Sequence, residues 1–301
     1  MKWRGRKGGG QIEDRRGQGG GGFSTGGGLP FPLPMGKGGG GIGMLLIVLL
    51  LVFVLPRCLG SEGGGFGVDP GTDPLPQSPQ AGSGDLNEAP ADDPAKFVDF
   101  VAGDVDATWQ RIFSQSNQTY QQPVIVLYEQ GVRSACGATP STVGPFYCPL
   151  DKKVYLDLGF LEQLQQRLGA PGDFARAYVI AHEIGHHVQN LLGVMEDVNL
   201  AKQENPDDAN ELSVRLELQA DCLAGVWGHS AFKQDLLESG DLEEGLNAAS
   251  AVGDDRIQEQ AGQRVNPDSF THGSGEQRVK WFRAGFDGGD PTACDTFKGD
   301  I

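Results

Sequence analysis

The sequence predicts an α+β domain, mainly helical with a small β-sheet, occupying residues 95–301. Three observations predict it: several segments carry a helical apolar period, two short runs rich in β-branched and aromatic residues stand after the first of them, and no internal repeat is apparent. The chain has 301 residues with 47 Gly and 18 Pro, and both types are concentrated before residue 95. What remains suits one globular domain.

Residues 1–41 are rich in Gly and basic, with Lys2, Arg4, Arg6, Lys7, Arg15, Arg16 and Lys37 against Glu13 and Asp14. Such a low-complexity stretch has little apolar surface to bury, so a disordered cytoplasmic segment is expected. Ile42 to Leu55 carries no charge, although its 14 residues fall short of the roughly 20 a helix needs to cross a bilayer. Gly38 to Gly41 and Pro56 can extend it. Read as a single transmembrane signal anchor over 42–57, it leaves the basic end in the cytoplasm by the positive-inside rule and the rest of the chain outside. A cleavable signal peptide is the rival, but no Ala-x-Ala site follows, and Leu55-Pro56-Arg57-Cys58 lacks the small residues expected before a lipoprotein cysteine. Residues 58–94 read as a Pro/Gly/acidic linker, also disordered, with no basic residue between 60 and 95.

Asp93-Pro94 opens the first helix, with Phe97, Val101, Val105, Trp109, Ile112 and Phe113 along one face. Pro123 to Tyr128 and Lys153 to Leu158 read as strands, joined by the loop from Cys136 to Cys148. If Lys153 to Leu158 is the sheet edge, an extended peptide could add to it as a further strand; the alternative is an ordinary strand with a half-buried Tyr155. Gly172-Asp173 starts a second helix, apolar at Phe174, Ala177, Tyr178, Ile180, Ala181, Ile184, Val188, Leu191 and Leu192. Asn210 to Trp227 reads as a third, and amphipathic segments follow near 231–238, 252–264 and 275–286.

The apolar second helix contains His182-Glu183-Ile184-Gly185-His186, an HExxH pattern. Residues four apart are neighbours on a helix surface, so both imidazoles can reach one tetrahedral zinc, and Glu183 stands where it can take a proton from water on that metal. Three polar groups in such a helix would each cost several kcal/mol if buried without a partner. A third ligand is needed. The three-His continuation would require Gly at 189 and His at 192, where this chain has Gln189 and Leu192. On the helix after it, Glu217 is the favoured ligand, with Glu211 competing and Asp221 third; one turn beyond Glu217, Asp221 can hold the free N–H of a ligand His.

These residues resemble the bacterial family described as "putative neutral zinc metallopeptidase". The likeness is carried by Tyr-Val-Ile-Ala-His-Glu-Ile-Gly-His-His-Val-Gln-Asn-Leu-Leu-Gly (178–193), Arg-Leu-Glu-Leu-Gln-Ala-Asp-Cys-Leu-Ala-Gly-Val-Trp (215–227), Gly-Pro-Phe-Tyr-Cys-Pro (144–149) and Asp-Ser-Phe-Thr-His-Gly (268–273). It extends to the basic N-terminus and the hydrophobic segment. The Glu-x-x-Ala-Asp element at 217–221 is also similar to that of membrane-bound zinc proteases of the prenyl-protein type, which implies Glu217 as third ligand. The resemblance implies a zincin-like metalloprotease domain that hydrolyses peptide bonds. In that reading His182, His186 and Glu217 hold zinc, Glu183 is the general base, and His272 is the best candidate donor to the oxyanion, ahead of His229 and Tyr155. His187, turned about 100° from its neighbour, reads as structural.

Cys136 and Cys148 bracket a Gly/Pro/Ser/Thr loop, and Cys222 and Cys294 could tie the third helix to the C-terminal tail, leaving Cys58 over. Four cysteines allow three connectivities, and disulfides suit an extracytoplasmic domain. The formal net charge of −16 makes nucleic acid a poor partner. A peptide or protein substrate and a membrane are the partners implied; oligomeric state is not. The rival of a different class is a membrane-tethered scaffold that keeps zinc and cleaves nothing, against which an intact Glu183 argues. A zinc hydrolase of non-peptide amides is a second rival.

Overall fold

The computed structural model describes residues 1–17, 90, 93–140, 144–161 and 172–301. The expected membrane segment at 42–57 and nearly all of the expected linker lie outside them. Among the described residues, no helix is long and apolar enough to cross a membrane. In chain order the elements are β1 (Gln11–Asp14), α1 (Pro94–Gln115), β2 (Val124–Tyr128), β3 (Val132–Ser134), β4 (Gly137–Thr139), β5 (Phe146–Cys148), β6 (Lys153–Asp157), α2 (Asp173–Leu191), α3 (Val194–Glu204), α4 (Ala209–Lys233), α5 (Asp241–Ala251), α6 (Asp254–Gln260) and α7 (Gly275–Gly288). The class is α+β and mainly helical, as the sequence predicts.

Helix α1 begins where Asp93-Pro94 signals it. The Asp93 side chain accepts from the Ala95 N–H at 2.8 Å, and Pro94 occupies the first turn, where its missing N–H leaves no bond unmade. Phe97, Val101, Val105, Trp109 and Phe113 are all buried along its inner face. Helix α2 packs on α4 and α7 through aromatic pairs: Phe174 stacks on Trp227 with ring centroids 5.7 Å apart, and Tyr178 meets the ring of Phe282 edge-on at 5.6 Å. Each such buried ring contributes about 1.5–3 kcal/mol by leaving water. Their placement fixes the rotation of α2 and hence which side chains face α4.

The main sheet has the order β1-β2-β6-β5, with β1, β2 and β6 parallel and β5 antiparallel to β6. The expected edge strand at 153–158 is therefore interior. Among the described residues the edge on that side is β5, from within the expected loop, and β3, just before that loop, pairs with β4 inside it. Tyr155 is buried, not half-buried, and stacks on Phe146 at 4.8 Å. Both cysteine pairs are closed, Cys136 to Cys148 and Cys222 to Cys294. Helix α4 runs on to Lys233, past its expected end at Trp227. The amphipathic segment expected near 252–264 is the shorter α6 at 254–260, whereas that expected near 231–238 is divided between the end of α4 and the turn before α5 at 241–251.

Disorder over the whole of 1–41 is corrected for residues 1–17. Composition argued that this segment buries little of its own, which is true; it instead inserts its few apolar residues into the domain. Met1 and Trp3 are buried, Trp3 meeting Phe97 edge-on at 5.2 Å, and β1 adds a parallel strand to β2. The Met1 amino group bonds Asp173 Oδ1 at 2.5 Å and lies 3.1 Å from Glu238 and 3.2 Å from Asp241.

Candidate metal centre

Helix α2 is buried on nearly every side, so the polar residues in its second half must find partners within the protein. His182, Glu183 and His186 are each less than a tenth exposed. Helix α4 meets α2 at Gly185, where a Cβ would stand 3.0 Å from the Ala220 carbonyl oxygen. A side chain there would have to push α4 back by a few tenths of an ångström, so glycine favours the close approach that brings Glu217 opposite both histidines. His182 Nε2 is 3.2 Å from Glu217 Oε2, and His186 Nε2 is 3.4 Å from Glu217 Oε1. Tetrahedral zinc with bonds of 2.0–2.1 Å spaces its ligand atoms about 3.3 Å apart. Both imidazole-to-carboxylate distances match that spacing, and the three ligand atoms all lie within 4.8 Å of one another.

The far side of each imidazole decides whether Nε2 offers a lone pair. His182 Nδ1 lies 2.8 Å from Asp221 Oδ1, a carboxylate that can only accept while ionised, so the N–H is on Nδ1. His186 Nδ1 lies 2.8 Å from Gln189 Oε1, and the Gln189 amide nitrogen donates to the Leu216 carbonyl at 2.7 Å and to Gln219 Oε1 at 3.0 Å. That orientation makes Gln189 Oε1 an acceptor and His186 Nδ1 the donor. Both Nε2 atoms are left to face Glu217. The residues fit zinc in donor type, spacing and tautomer.

Asp221 is held in turn by a buried set that its sequence position does not reveal. Arg278 on α7 donates to both carboxylate oxygens, Nε to Oδ2 at 2.8 Å and Nη2 to Oδ1 at 3.0 Å, while the Tyr178 hydroxyl donates to Oδ1 at 2.5 Å. Burial raises the Asp221 carboxyl, but the Arg278 and His182 charges outweigh it and hold it below the usual range. Burial likewise pulls His182 down, and Asp221 with Glu217 reverses this, raising the metal-free imidazole to about 10. Glu217 is pushed up by burial and driven well below the carboxylate range by His186 and His182. Glu183 moves the other way, burial raising it more than the histidines lower it. The two neighbouring carboxyls are thus moved in opposite directions, Glu217 down and Glu183 up.

The competing ligand Glu211 points elsewhere: it is largely exposed and pairs with Arg215 at 2.8 Å. His272 feels the Glu217 charge, and its Nδ1 lies 3.1 Å from Asp254 Oδ1. Asp254 Oδ2 also accepts the backbone N–H groups of Thr271, His272 and Gly273 at 2.6, 2.7 and 3.2 Å, which fixes the loop that carries the imidazole. The weaker donor candidates are engaged otherwise, His229 Nδ1 with the Phe286 carbonyl at 2.6 Å and the Tyr155 hydroxyl with Asp151 at 2.7 Å. His187 is buried between the Tyr147 hydroxyl and the Gln121 carbonyl. The residues that sequence reasoning missed are Gln189, Arg278, Tyr178 and Asp254. For Gln189 and Tyr178 a signal existed, a polar group within an otherwise apolar helix.

The chain matches the family described as "Putative neutral zinc metallopeptidase" over residues 1–297. It is similar to "Uncharacterized protein YpfJ" of Escherichia coli (strain K12), 55% identical over 207 residues that cover 68% of this chain and 72% of that relative. It is also similar to "Uncharacterized protein Rv2575" of Mycobacterium tuberculosis (strain ATCC 25618 / H37Rv), 46% identical over 204 residues that cover 64% of this chain and 67% of the relative. No solved structure matches it.

Proposed function

Because the chain belongs to that zinc metallopeptidase family, we propose that it is a zinc-dependent endopeptidase held at a membrane, with its catalytic domain outside the cytoplasm. The observation that carries the reading is the convergence of His182 Nε2, His186 Nε2 and the Glu217 carboxylate within 4.8 Å of one another, with a buried Glu183 on the same helix as the two histidines. Zinc held by His182, His186 and Glu217 supplies Lewis acidity toward the scissile carbonyl and lowers the pKa of water toward 7.

Glu183 accepts the proton of the attacking water and delivers it to the leaving amine; burial, which raises its carboxyl, suits it to both tasks. Asp221, fixed by Arg278 and Tyr178, keeps the His182 proton on Nδ1, and Gln189 does the same for His186. His272, with Nδ1 turned to Asp254, has Nε2 free to donate to the oxyanion that forms on the substrate carbonyl. Strand β5 would receive an extended substrate. It is the terminal strand of the sheet among the described residues, and Tyr147 on it bonds His187 and Asn190 of α2 at 3.0 and 2.8 Å. Two disulfides support an oxidising compartment, and the uncharged stretch at 42–55 supports membrane attachment.

The test uses the zinc-loaded full chain on an unfolded protein and on peptide libraries, with zinc content measured alongside. Wild type should cleave internal bonds, and Glu183→Gln should lose about 10²- to 10⁴-fold in kcat/KM at unchanged zinc content. Wild type that binds one zinc and cleaves no peptide would sink the reading and favour a zinc-bearing scaffold. Cleavage of small amides alone would favour the non-peptide hydrolase.

A further inference from the structure

Residues 1–17, which precede the hydrophobic stretch, are built into the same body as the metal centre. Register pairs Gln11 with Val124, Ile12 with Ile125, Glu13 with Val126 and Asp14 with Leu127, and the Arg15 N–H continues the pattern onto the Leu127 carbonyl at 2.8 Å. Upstream, the Lys2 N–H bonds the Leu236 carbonyl at 2.7 Å beyond α4, and Trp3 Nε1 donates to Asp173 Oδ2 at 3.1 Å at the first turn of α2. Gly9 lies flat on α1: a Cβ on Gly103 would stand 2.5 Å from the Gly9 nitrogen. Three of the basic residues that favour a cytoplasmic location are spent on the domain or within the strand region. Lys2 pairs with Asp235 at 2.8 Å, Arg15 with Glu13 at 2.7 Å, and Arg16 with Asp14 at 2.6 Å and Asp93 at 3.0 Å; Lys153 on β6 reaches Glu13 at 2.7 Å.

Two magnitudes decide what this means for the chain path. Paired strands stand about 4.8 Å apart, whereas the hydrocarbon of a bilayer is about 30 Å thick. Strands β1 and β2 therefore cannot lie on opposite faces of a membrane. The uncharged stretch at 42–55 agrees, since as a helix it would span only about 21 Å. We infer that residues 1–17 are an integral part of the catalytic domain and share its compartment, so that the stretch at 42–55 attaches to the membrane without carrying them to the opposite side. This goes beyond the peptidase reading and does not depend on activity.

The experiment labels single cysteines in the full chain, in a Cys58→Ser background that leaves both disulfides intact. Lys7→Cys reports the N-terminal segment and Leu150→Cys the domain; both positions are exposed. Spheroplasts are treated with a membrane-impermeant maleimide before and after detergent lysis. Equal labelling of both sites before lysis is the expected result. Labelling of both only after lysis keeps the inference and overturns the extracytoplasmic location proposed above. Any result in which the two sites differ overturns the inference. A zero-length carbodiimide reaction on the purified full chain reads the contacts directly: mass spectrometry should find Glu13 joined to Lys153 and Lys2 joined to Asp235, and absence of both links would overturn it.

Discussion

Among the described residues, two groups of three ligand-bearing side chains involve α2: His182 and His186 of its second half with Glu217 of α4, and Asp173 of its first turn with Asp241 and Glu244 of α5, the atoms of each group lying within 4.8 Å of one another. They differ in what already occupies them. In the first group the acceptors Asp221 Oδ1 and Gln189 Oε1 stand behind the imidazoles, so both Nε2 atoms turn toward the Glu217 carboxylate. In the second the carboxylates are met from the front, by the Met1 amino group and Trp3 Nε1 at Asp173, by the Glu238 N–H at Asp241 and by the Phe174 N–H at Glu244. The number of converging oxygens and nitrogens does not distinguish a metal centre from a structural cluster. The direction from which each group is satisfied does.

The two groups should differ most in metal stoichiometry. Glu217→Ala should abolish bound zinc at equimolar metal, while Asp241→Asn should retain one zinc per chain, both measured by elemental analysis; the reverse result would exchange the two roles. Next comes the support behind His182. Arg278→Met keeps the volume but leaves Asp221 buried without its cation, and should destabilise the metal-free protein by about 3–5 kcal/mol in denaturant unfolding. Smaller again is the support behind His186: Gln189→Ala should weaken zinc binding about 10- to 100-fold in competition with a chelator, with little change in the far-ultraviolet spectrum.

A third buried carboxylate sharpens the point by having too few donors. Asp106 on α1 receives only the Tyr120 hydroxyl at 2.7 Å and its other oxygen is unpartnered, so burial raises it to about 7. A carboxyl raised in the folded state contributes stability that is complete below its unfolded pKa and is lost as pH rises through the folded value. Wild type should therefore lose about 1.4 kcal/mol per pH unit between pH 4 and 7 from this group. Asp106→Asn should remove that slope in unfolding measured at a series of pH values.

Legibility in the sequence followed how far each feature depends on its own neighbours. His182, Glu183 and His186 are spaced by one helix, and Glu217 and Asp221 by another, so periodicity was enough to propose them and the structure brings all five together. The two cysteine pairs were readable for a related reason, one closing a short loop. Arg278 was not readable, because Glu276-Gln277-Arg278-Val279-Lys280 looks like the charged face of an amphipathic helix and its partner lies 57 positions away. Strand β5 is three residues long and β1 only four, with Ile12 the sole apolar residue in Gln-Ile-Glu-Asp. Neither is long enough to show a period, and both owe their conformation to the strand beside them.

The pairing of β1 with β2 also bears on the order of folding and on self-association. The strand is synthesised first, yet its partner lies more than a hundred residues later, at Val124, and the Asp173 that receives Trp3 lies later still. Docking of the arm is therefore a late, long-range event, and until it happens β2 presents an unpaired edge. Residues 18–93 separate the arm from the helical body, so the arm of a second copy can fill that edge with identical contacts.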